Sequence, residues 1–596
     1  MKLAEYVAEF LASQGLRHVF GITGGASLHL IHAIAGRPDM RIIFTHHEQA
    51  AAMAADAYSR VTGKLGAAVA TSGPGATNLI TGICCAYYDS VPAIYITGQV
   101  ATFRSKGDMG IRQLGFQETD IVDMCGPITK YAVKISDPQT IRKELEKAVY
   151  LARCDRPGPV LVDIPDDLQR KQIDPESLDP FCPPTPSAGT LDWTNNFERC
   201  IDAIQRAQRP VVIVGWGVRL AHAEKELLEA LRLLNFPVLP TWAMVDMFPH
   251  DYPQLAGTFG THGSRCGNFA VQNADLVLAI GSRLDTHETG SPPTSFARQA
   301  CKIVVDIDPA ELRKFKSHGV NIDFPFCIDA AEFLRELCAR LDGVELSDTH
   351  PWQNRIAAWQ DKYPAIQPQY REEHAVNPYV FMEALSRFAQ PGDIIVSDTG
   401  CALAWAMQGF SFRESQRFLH AFNNTPMGYA LPASIGAALA EPARRVICIT
   451  GDGALQMNIQ ELATLAHYKL NIRIFVINND GYSMIRQTQD QWLDSSYIGS
   501  SPEGGVSMPD FQHVAKAYGI KATQLKHNED VLRMVNEVLC ENGPILCDVN
   551  IPSSHRVVPQ VKFGYPIEDS EPLLPRDEFM ENMIVQPLPA SLHGSR

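Results

Sequence analysis

Residues 445–479 read RVICITGDGALQMNIQELATLAHYKLNIRIFVINN, and the change of texture along this stretch decides the fold. Arg445 to Thr450 and Ile472 to Ile477 are short β-rich apolar runs, while Leu455, Ile459, Leu462 and Leu465 between them recur at helical spacing. This is a βαβ unit. Its right-handed crossover makes the two strands parallel, so Asp452 and Asn479 emerge together at the carboxyl edge of the sheet, where open α/β folds bind ligands. Two hard oxygen donors on one rim suit Mg²⁺, which shares its shell with phosphate and water. Gly451 and Gly453 let backbone approach closely, and the helix that follows turns its N-terminus toward an anion held by the metal. The natural occupant is a metal-bound diphosphate. Taken singly, GDG and NNDG are ordinary turn chemistry. Their conjunction at the ends of consecutive strands is what favours a site.

Working outward, 596 residues with 45% hydrophobic and 20% charged side chains form a globular composition long enough for three domains. A formal net charge of -15 argues against nucleic acid and anionic membrane surfaces as partners. No apolar run is long enough to span a bilayer, and MKLAEYVAEFLASQG reads as a packed helix with Leu3, Val7, Phe10 and Leu11 on one face, not as a signal peptide. Fourteen scattered cysteines without a CxxC pair read as reduced thiols of a cytoplasmic protein. Polar, proline-bearing stretches near 166–193 and 341–377 divide the chain. The expected organisation is α/β, three doubly wound parallel-sheet domains over 1–168, 190–343 and 375–560, then a tail over 561–596 that forms a closing lid or, preferably, a docked helix. TSGPGATN, residues 71–78, lacks the Lys-Ser/Thr ending of a P-loop and reads as part of an active-site wall.

The pattern GDG, roughly 25 residues, then NN resembles the motif of thiamine diphosphate enzymes. The runs HHEQAAAMAADAYSRVTGKLGAAVATSGPGATN, DSVPAIYITGQV, RQLGFQET, TPMGYALPASIGAALA and GDGALQMNIQELATL extend the likeness to the acetolactate (acetohydroxyacid) synthase branch, from the first helix to about Val549. The resemblance implies pyrimidine-binding, middle and diphosphate-binding domains in that order. It assigns Asp452, Asn479 and the carbonyl of Gly481 to Mg²⁺, and Gly400, Gly451, Gly453, Ala454, Asn479, Gly481 and Tyr482 to the cofactor. Glu48 would hydrogen-bond the aminopyrimidine and let the cofactor take its own proton; otherwise it is a helix-start Glu that complements the dipole. Gln117 would sit by the reacting carbonyl, with Phe116 and Lys130 lining the same channel. Met427 would prop the thiazolium against the pyrimidine. The plain alternatives are core packing for Phe116 and Met427, a solvated charge for Lys130 and a helix-end hydrogen bond for Gln117. Because Glu48 and Asp452 meet one cofactor from different subunits in this family, a homodimer or homotetramer is implied. FAD without a redox role is implied at Gly215, Gly217, His262, Gly263 and Arg283, although glycine turns end strands in every doubly wound domain.

Three departures bear on substrate choice. Thr488 stands in MIRQTQ where the synthases carry a tryptophan that narrows the acceptor channel, and Thr286-His287 replaces their Asp-Arg. Cys401-Ala402 replaces Gln-His, which thins the diphosphate contacts. The expected reaction is decarboxylation of a 2-keto acid, pyruvate by default, and transfer of the two-carbon unit to a second carbonyl, acetolactate being the default product. The alternatives are transfer to a bulkier ketone such as a nucleotide-linked keto sugar, simple decarboxylation, which His46-His47 favours slightly, and a non-enzymatic homologue, which the retained Glu48, Asp452 and Asn479 disfavour.

Overall fold

Seventeen strands build three parallel sheets among residues 1–184 and 194–592, the residues described in the computed structural model. The first sheet contains β1 (His18–Gly21), β2 (Arg41–Phe44), β3 (Gly66–Ala70), β4 (Ala93–Gln99), β5 (Tyr131–Lys134) and β6 (Pro159–Pro165) in the order β2-β1-β3-β4-β6-β5. The second contains β7 (Pro210–Val214), β8 (Val238–Pro240), β9 (Leu276–Ile280), β10 (Cys301–Asp306) and β11 (Phe324–Cys327), ordered β11-β10-β9-β7-β8. The third contains β12 (Ile394–Ser397), β13 (Arg417–Leu419), β14 (Val446–Gly451), β15 (Ile472–Asn478), β16 (Lys521–Leu525) and β17 (Ile545–Asn550), ordered β13-β12-β14-β15-β17-β16. The first and third orders are the same topology. β3 and β14 therefore correspond, and TSGPGATN occupies in the first sheet the place that GDGALQMN occupies in the third.

β14 pairs with β15 in parallel from Val446↔Ile472 to Gly451↔Ile477, so the residues just past both strands share one rim as expected. The segment between them differs from expectation. It is two helices, Asp452–Met457 and Glu461–Tyr468, not one. Asn458 interrupts it, its amide donating to the Gly428 carbonyl at 2.8 Å, so a long-range bond outweighs continuation of the helix. The divider near 341–377 also holds a helix, His350–Lys362, with Pro351 in its first turn and Trp352, Ile356 and Trp359 buried in the core of the second sheet. Proline and polar composition hid that period from the sequence reading. The expected start of the middle domain at residue 190 lies outside the described residues.

The first and third sheets meet through the alanine-rich helix Glu48–Thr62 and the helix Ala430–Ala440. Their backbones touch: a Cβ on Gly436 would lie 2.1 Å from the Ala54 carbonyl oxygen. The tail, described to residue 592, docks as the sequence preferred. Val561, Ile567 and Phe579 enter the core of the second sheet, and the Asn273 carboxamide oxygen accepts from the backbone N–H groups of Ile584 and Val585.

Candidate active site

In the third sheet the chain runs outward from β12 to β13 and then returns to β14, so β12 and β14 flank the switch point where such sheets bind ligands. Asp398 follows β12 and Asp452 follows β14. Asp452 is 2% exposed; its Oδ1 accepts from Gly453 N at 2.7 Å, and its Oδ2 from Asn479 N at 3.1 Å and Gly481 N at 3.0 Å. Burial pushes its carboxyl up to about 6 against these stabilising amides. Beside it, Oδ1 of Asn479 is buried with no hydrogen-bond partner. An orphaned carboxamide oxygen next to a carboxylate is a poor protein interior and a good donor set for a hard divalent cation. The residues present fit such an ion.

Two residues that sequence reading missed build this rim. Arg486, buried, donates from Nε to Ser500 O at 2.8 Å, from Nη1 to Asn479 O at 3.1 Å, and from Nη2 to Asp480 O, which clamps the NNDG turn. Gly481, at φ 139°, cannot carry a side chain because a Cβ would strike both Ser500 O and this guanidinium. Asp398, fully buried, accepts from Gly428 N at 2.9 Å, Ala430 N at 3.2 Å and Thr450 Oγ1 at 3.0 Å, and so fixes the loop that carries half-buried Met427. Burial raises its carboxyl to about 6. A carboxylate one residue beyond a strand was the available signal. Gly453 is required by close packing: its Cβ would fall 2.0 Å from the Tyr482 ring. Gly400, φ 80°, precedes the helix Cys401–Gly409, and Ala454 lies in the helix that Asp452 begins.

Glu48 starts its helix as expected and is buried. Its Oε2 accepts from Asn78 Nδ2 at 2.9 Å, so in this chain its partners come from TSGPGATN and not from the Asp452 rim. The loop before it is held from the third sheet, where Glu461 accepts from His46 N at 3.0 Å. Gln117 adopts φ 64°, strained for a glutamine, and packs its side chain by Gly73. Phe116 is 86% exposed, so it is not core. Lys130 Nζ donates to Cys154 O at 2.6 Å, away from the partners of Glu48 and Gln117.

In the second sheet the switch lies between β7 and β9. Gly215 and Gly217 approach the backbone of Gly281, and a cleft beside them is lined by Gly217, Arg156, Arg283, Asp306 and Asp329. His262 and Gly263 are not part of that cleft. His262 Nδ1 lies 2.9 Å from His287 Nε2; His262 is buried and His287 half-buried, and desolvation pushes both toward the neutral form. Nε2 of His262 has no partner.

Three parallel α/β sheets, one with a buried oxygen-donor rim at its switch point, define a class that the family comparisons match domain by domain. Residues 1–124 match the model "Thiamine pyrophosphate enzyme, N-terminal TPP binding domain", residues 197–337 the central domain and residues 398–549 the C-terminal TPP binding domain, so the chain belongs to the thiamine pyrophosphate enzyme family. Within it, the chain is 34% identical to the acetolactate synthase large subunit of Cyanidium caldarium over 93% of this chain and 94% of that one. It is 35% identical to the probable acetolactate synthase large subunit of Methanocaldococcus jannaschii, over 92% of each. It is 32% identical to the acetolactate synthase isozyme 3 large subunit of Escherichia coli, over 94% of this chain and 97% of that one. The chain is a thiamine diphosphate-dependent carboligase that acts on small 2-keto acids and forms a carbon–carbon bond, with Mg²⁺ as this family uses it. Among the described residues, no helix is long and apolar enough to cross a membrane.

Proposed function

We propose that Asp452, Asn479 and the carbonyl of Gly481 hold Mg²⁺ and through it the cofactor diphosphate, with Gly400, Gly451, Gly453, Ala454 and Tyr482 lining that end. The orphaned, buried Oδ1 of Asn479 beside the Asp452 carboxylate carries this reading. When bound, thiamine diphosphate supplies the electron sink through which a 2-keto acid loses CO₂. Glu48 would hydrogen-bond the pyrimidine end, Met427 would prop the cofactor, and Gln117 and Phe116 would serve the reacting carbonyl, which Lys130 would reach only by leaving the Cys154 carbonyl that now holds it. The own-domain partner of Glu48 supports a dimer, or a dimer of dimers, in which the Glu48 of one copy completes the Asp452 rim of another. FAD, without a redox role, takes the cleft beside Gly217 and Arg283, at the switch point of the middle sheet. The domains run 1–168, 190–343 and 375–560 with a tail from 561, and the enzyme is cytoplasmic, in keeping with fourteen free thiols.

The acceptor is by default a second 2-keto acid, which makes the product an acetolactate. One observation favours a bulkier ketone as a second reading. The neutral His262–His287 pair cannot offer a carboxylate the fixed fork of a guanidinium, and Thr488 spends its hydroxyl on Met484 O at 3.1 Å, leaving the width that a tryptophan would fill. Holoenzyme given labelled pyruvate, alone and with a panel of aldehydes and keto sugars, tests both readings by mass-resolved products. Labelled acetolactate from pyruvate alone supports the default. Label moving mainly into an added acceptor supports the second reading, and absence of CO₂ release overturns both.

A further inference from the structure

The loop from Phe422 to Ala430, which carries Met427, is anchored from two directions. Asp398 holds Gly428 N and Ala430 N from below, within the diphosphate-binding domain. The other anchors come from the pyrimidine-binding domain of the same chain. Asp89 accepts from Phe422 N at 2.8 Å, Asn423 N at 3.0 Å and Asn423 Nδ2 at 2.6 Å. Tyr429, two residues past Met427, donates its hydroxyl to Asp56 Oδ2 at 2.5 Å. Arg60 ties these two carboxylates together, from Nε to Asp56 Oδ2 at 2.8 Å and from Nη2 to Asp89 Oδ2 at 2.8 Å. Asp56, Arg60, Asp89 and Tyr429 are all buried.

Two carboxylates on one guanidinium, out of water, make an expensive arrangement for mere cohesion, since apolar residues of similar volume hold a helix pair together at least as well. What the arrangement supplies is register. Asp56 and Arg60 lie on the helix that begins with Glu48, so hydrogen bonds of fixed direction connect that helix, whose own Glu48 serves the other site of the proposed dimer, to the Met427 loop. The Gly436–Ala54 backbone contact leaves this helix pair no slack.

We propose that Asp56, Arg60 and Tyr429 are positioning residues that set the height of Met427 under the cofactor, and thereby the geometry in which the cofactor loses its C2 proton. This rests on the reading of Met427 and Glu48 given above. Asp56 and Tyr429 line neither the Asp452 rim nor the cleft assigned above to FAD, whereas Arg60 also borders that cleft, so the decisive variant is placed at Tyr429.

The test reads exchange of the C2 proton of bound thiamine diphosphate against deuterium, by rapid quench and proton NMR, in holoenzyme carrying Tyr429→Phe. Loss of one hydroxyl keeps ring volume, so exchange slows about tenfold or more, as expected for a misplaced reacting group. The Kd for thiamine diphosphate stays within about threefold, because the metal rim is untouched. In steady state the loss appears in kcat, with KM for pyruvate little changed, and Tyr429→Trp does not restore it. Asp56→Asn, which keeps shape and removes the charge under Arg60, gives a second and larger slowing. Exchange at the wild-type rate in Tyr429→Phe overturns the proposal. A joint fall of exchange, cofactor affinity and Tm in that variant also overturns it, because it marks general loosening. Glu48→Gln separates the underlying reading. If that variant exchanges at the wild-type rate, the role of Glu48 fails, while the response to Tyr429→Phe still decides the role of the network.

Discussion

Glu461 illustrates how one side chain spans two domains and leaves a titration that can be measured. It is fully buried at the start of the helix Glu461–Tyr468, accepts from His46 N and from Thr464 Oγ1 at 2.6 Å, and so fixes the approach to Glu48. Burial pushes its carboxyl up to about 7 from an ordinary 4.5, more than these donors pull it down. Between those values the folded chain holds a proton that the unfolded chain has released. The stability contributed by that proton is therefore complete below pH 4.5 and is lost as pH rises toward 7. Glu461→Gln keeps an acceptor for His46 N and does not titrate. Its Tm relative to wild type is expected to climb from pH 4.5 to 7 and then level off, by the equivalent of at most about 3 kcal/mol. Calorimetry at half-unit steps of pH checks this. A difference that stays flat would mean that the carboxylate is ionised throughout.

At the scale of elements, the strand-to-helix turn after β14 shows why glycine at 453 is a packing requirement and not only a conformational convenience. Its Cβ would occupy the Tyr482 ring, and Tyr482 directly follows the turn that Arg486 clamps. Gly453→Ala must displace that ring and with it the Asn479–Gly481 amides on Asp452. Affinity for Mg²⁺ and thiamine diphosphate is expected to fall by about tenfold to a hundredfold, comparable to losing a supporting partner of a metal ligand, while Tm changes little. Calorimetric titration of the apoenzyme with metal and cofactor measures it; unchanged affinity would remove Tyr482 from the rim. What the sequence made legible here follows from periodicity. β14, β15 and the rim residues Asp452 and Asn479 sit at strand ends, where local pattern and ligand chemistry coincide. Asp398 left only the signal of a carboxylate just past a strand and Arg486 left none, because their value lies in which backbone groups they reach, Gly428 and Ala430 in one case and Asn479, Asp480 and Ser500 in the other. No local pattern encodes those pairings. The break at Asn458 and the helix His350–Lys362 failed for related reasons, a long-range bond in the first and a polar, proline-led sequence in the second.

For the whole molecule, the question is where the two halves of the proposed site meet. Glu48 finds its partner in Asn78, whereas Asp452 finds its partners in Gly453, Asn479 and Gly481, and the two sets share no residue. The surface also carries large apolar side chains that an isolated copy would leave in water: Phe103 at 70%, Phe116 at 86%, Trp492 at 55% and Ile498 at 77% exposure. Phe103 and Phe116 precede the strained Gln117 in the first domain, and Trp492 and Ile498 follow the NNDG turn in the third. A two-fold pairing that placed the first group of one chain over the second group of the other would cover both groups, twice. Glu48→Gln and Asp452→Asn are each expected to abolish turnover as pure proteins. Dissociated, mixed in equal amounts and reassociated, they give hetero-dimers in half of the population if pairing is random. In each hetero-dimer one site carries both substitutions and the other carries neither, so the mixture should regain about a quarter of wild-type activity. If Glu48 instead served the Asp452 of its own chain, every site in every combination would keep one defect, and mixing would restore nothing. The same two inactive proteins therefore give opposite results for a shared and an unshared site.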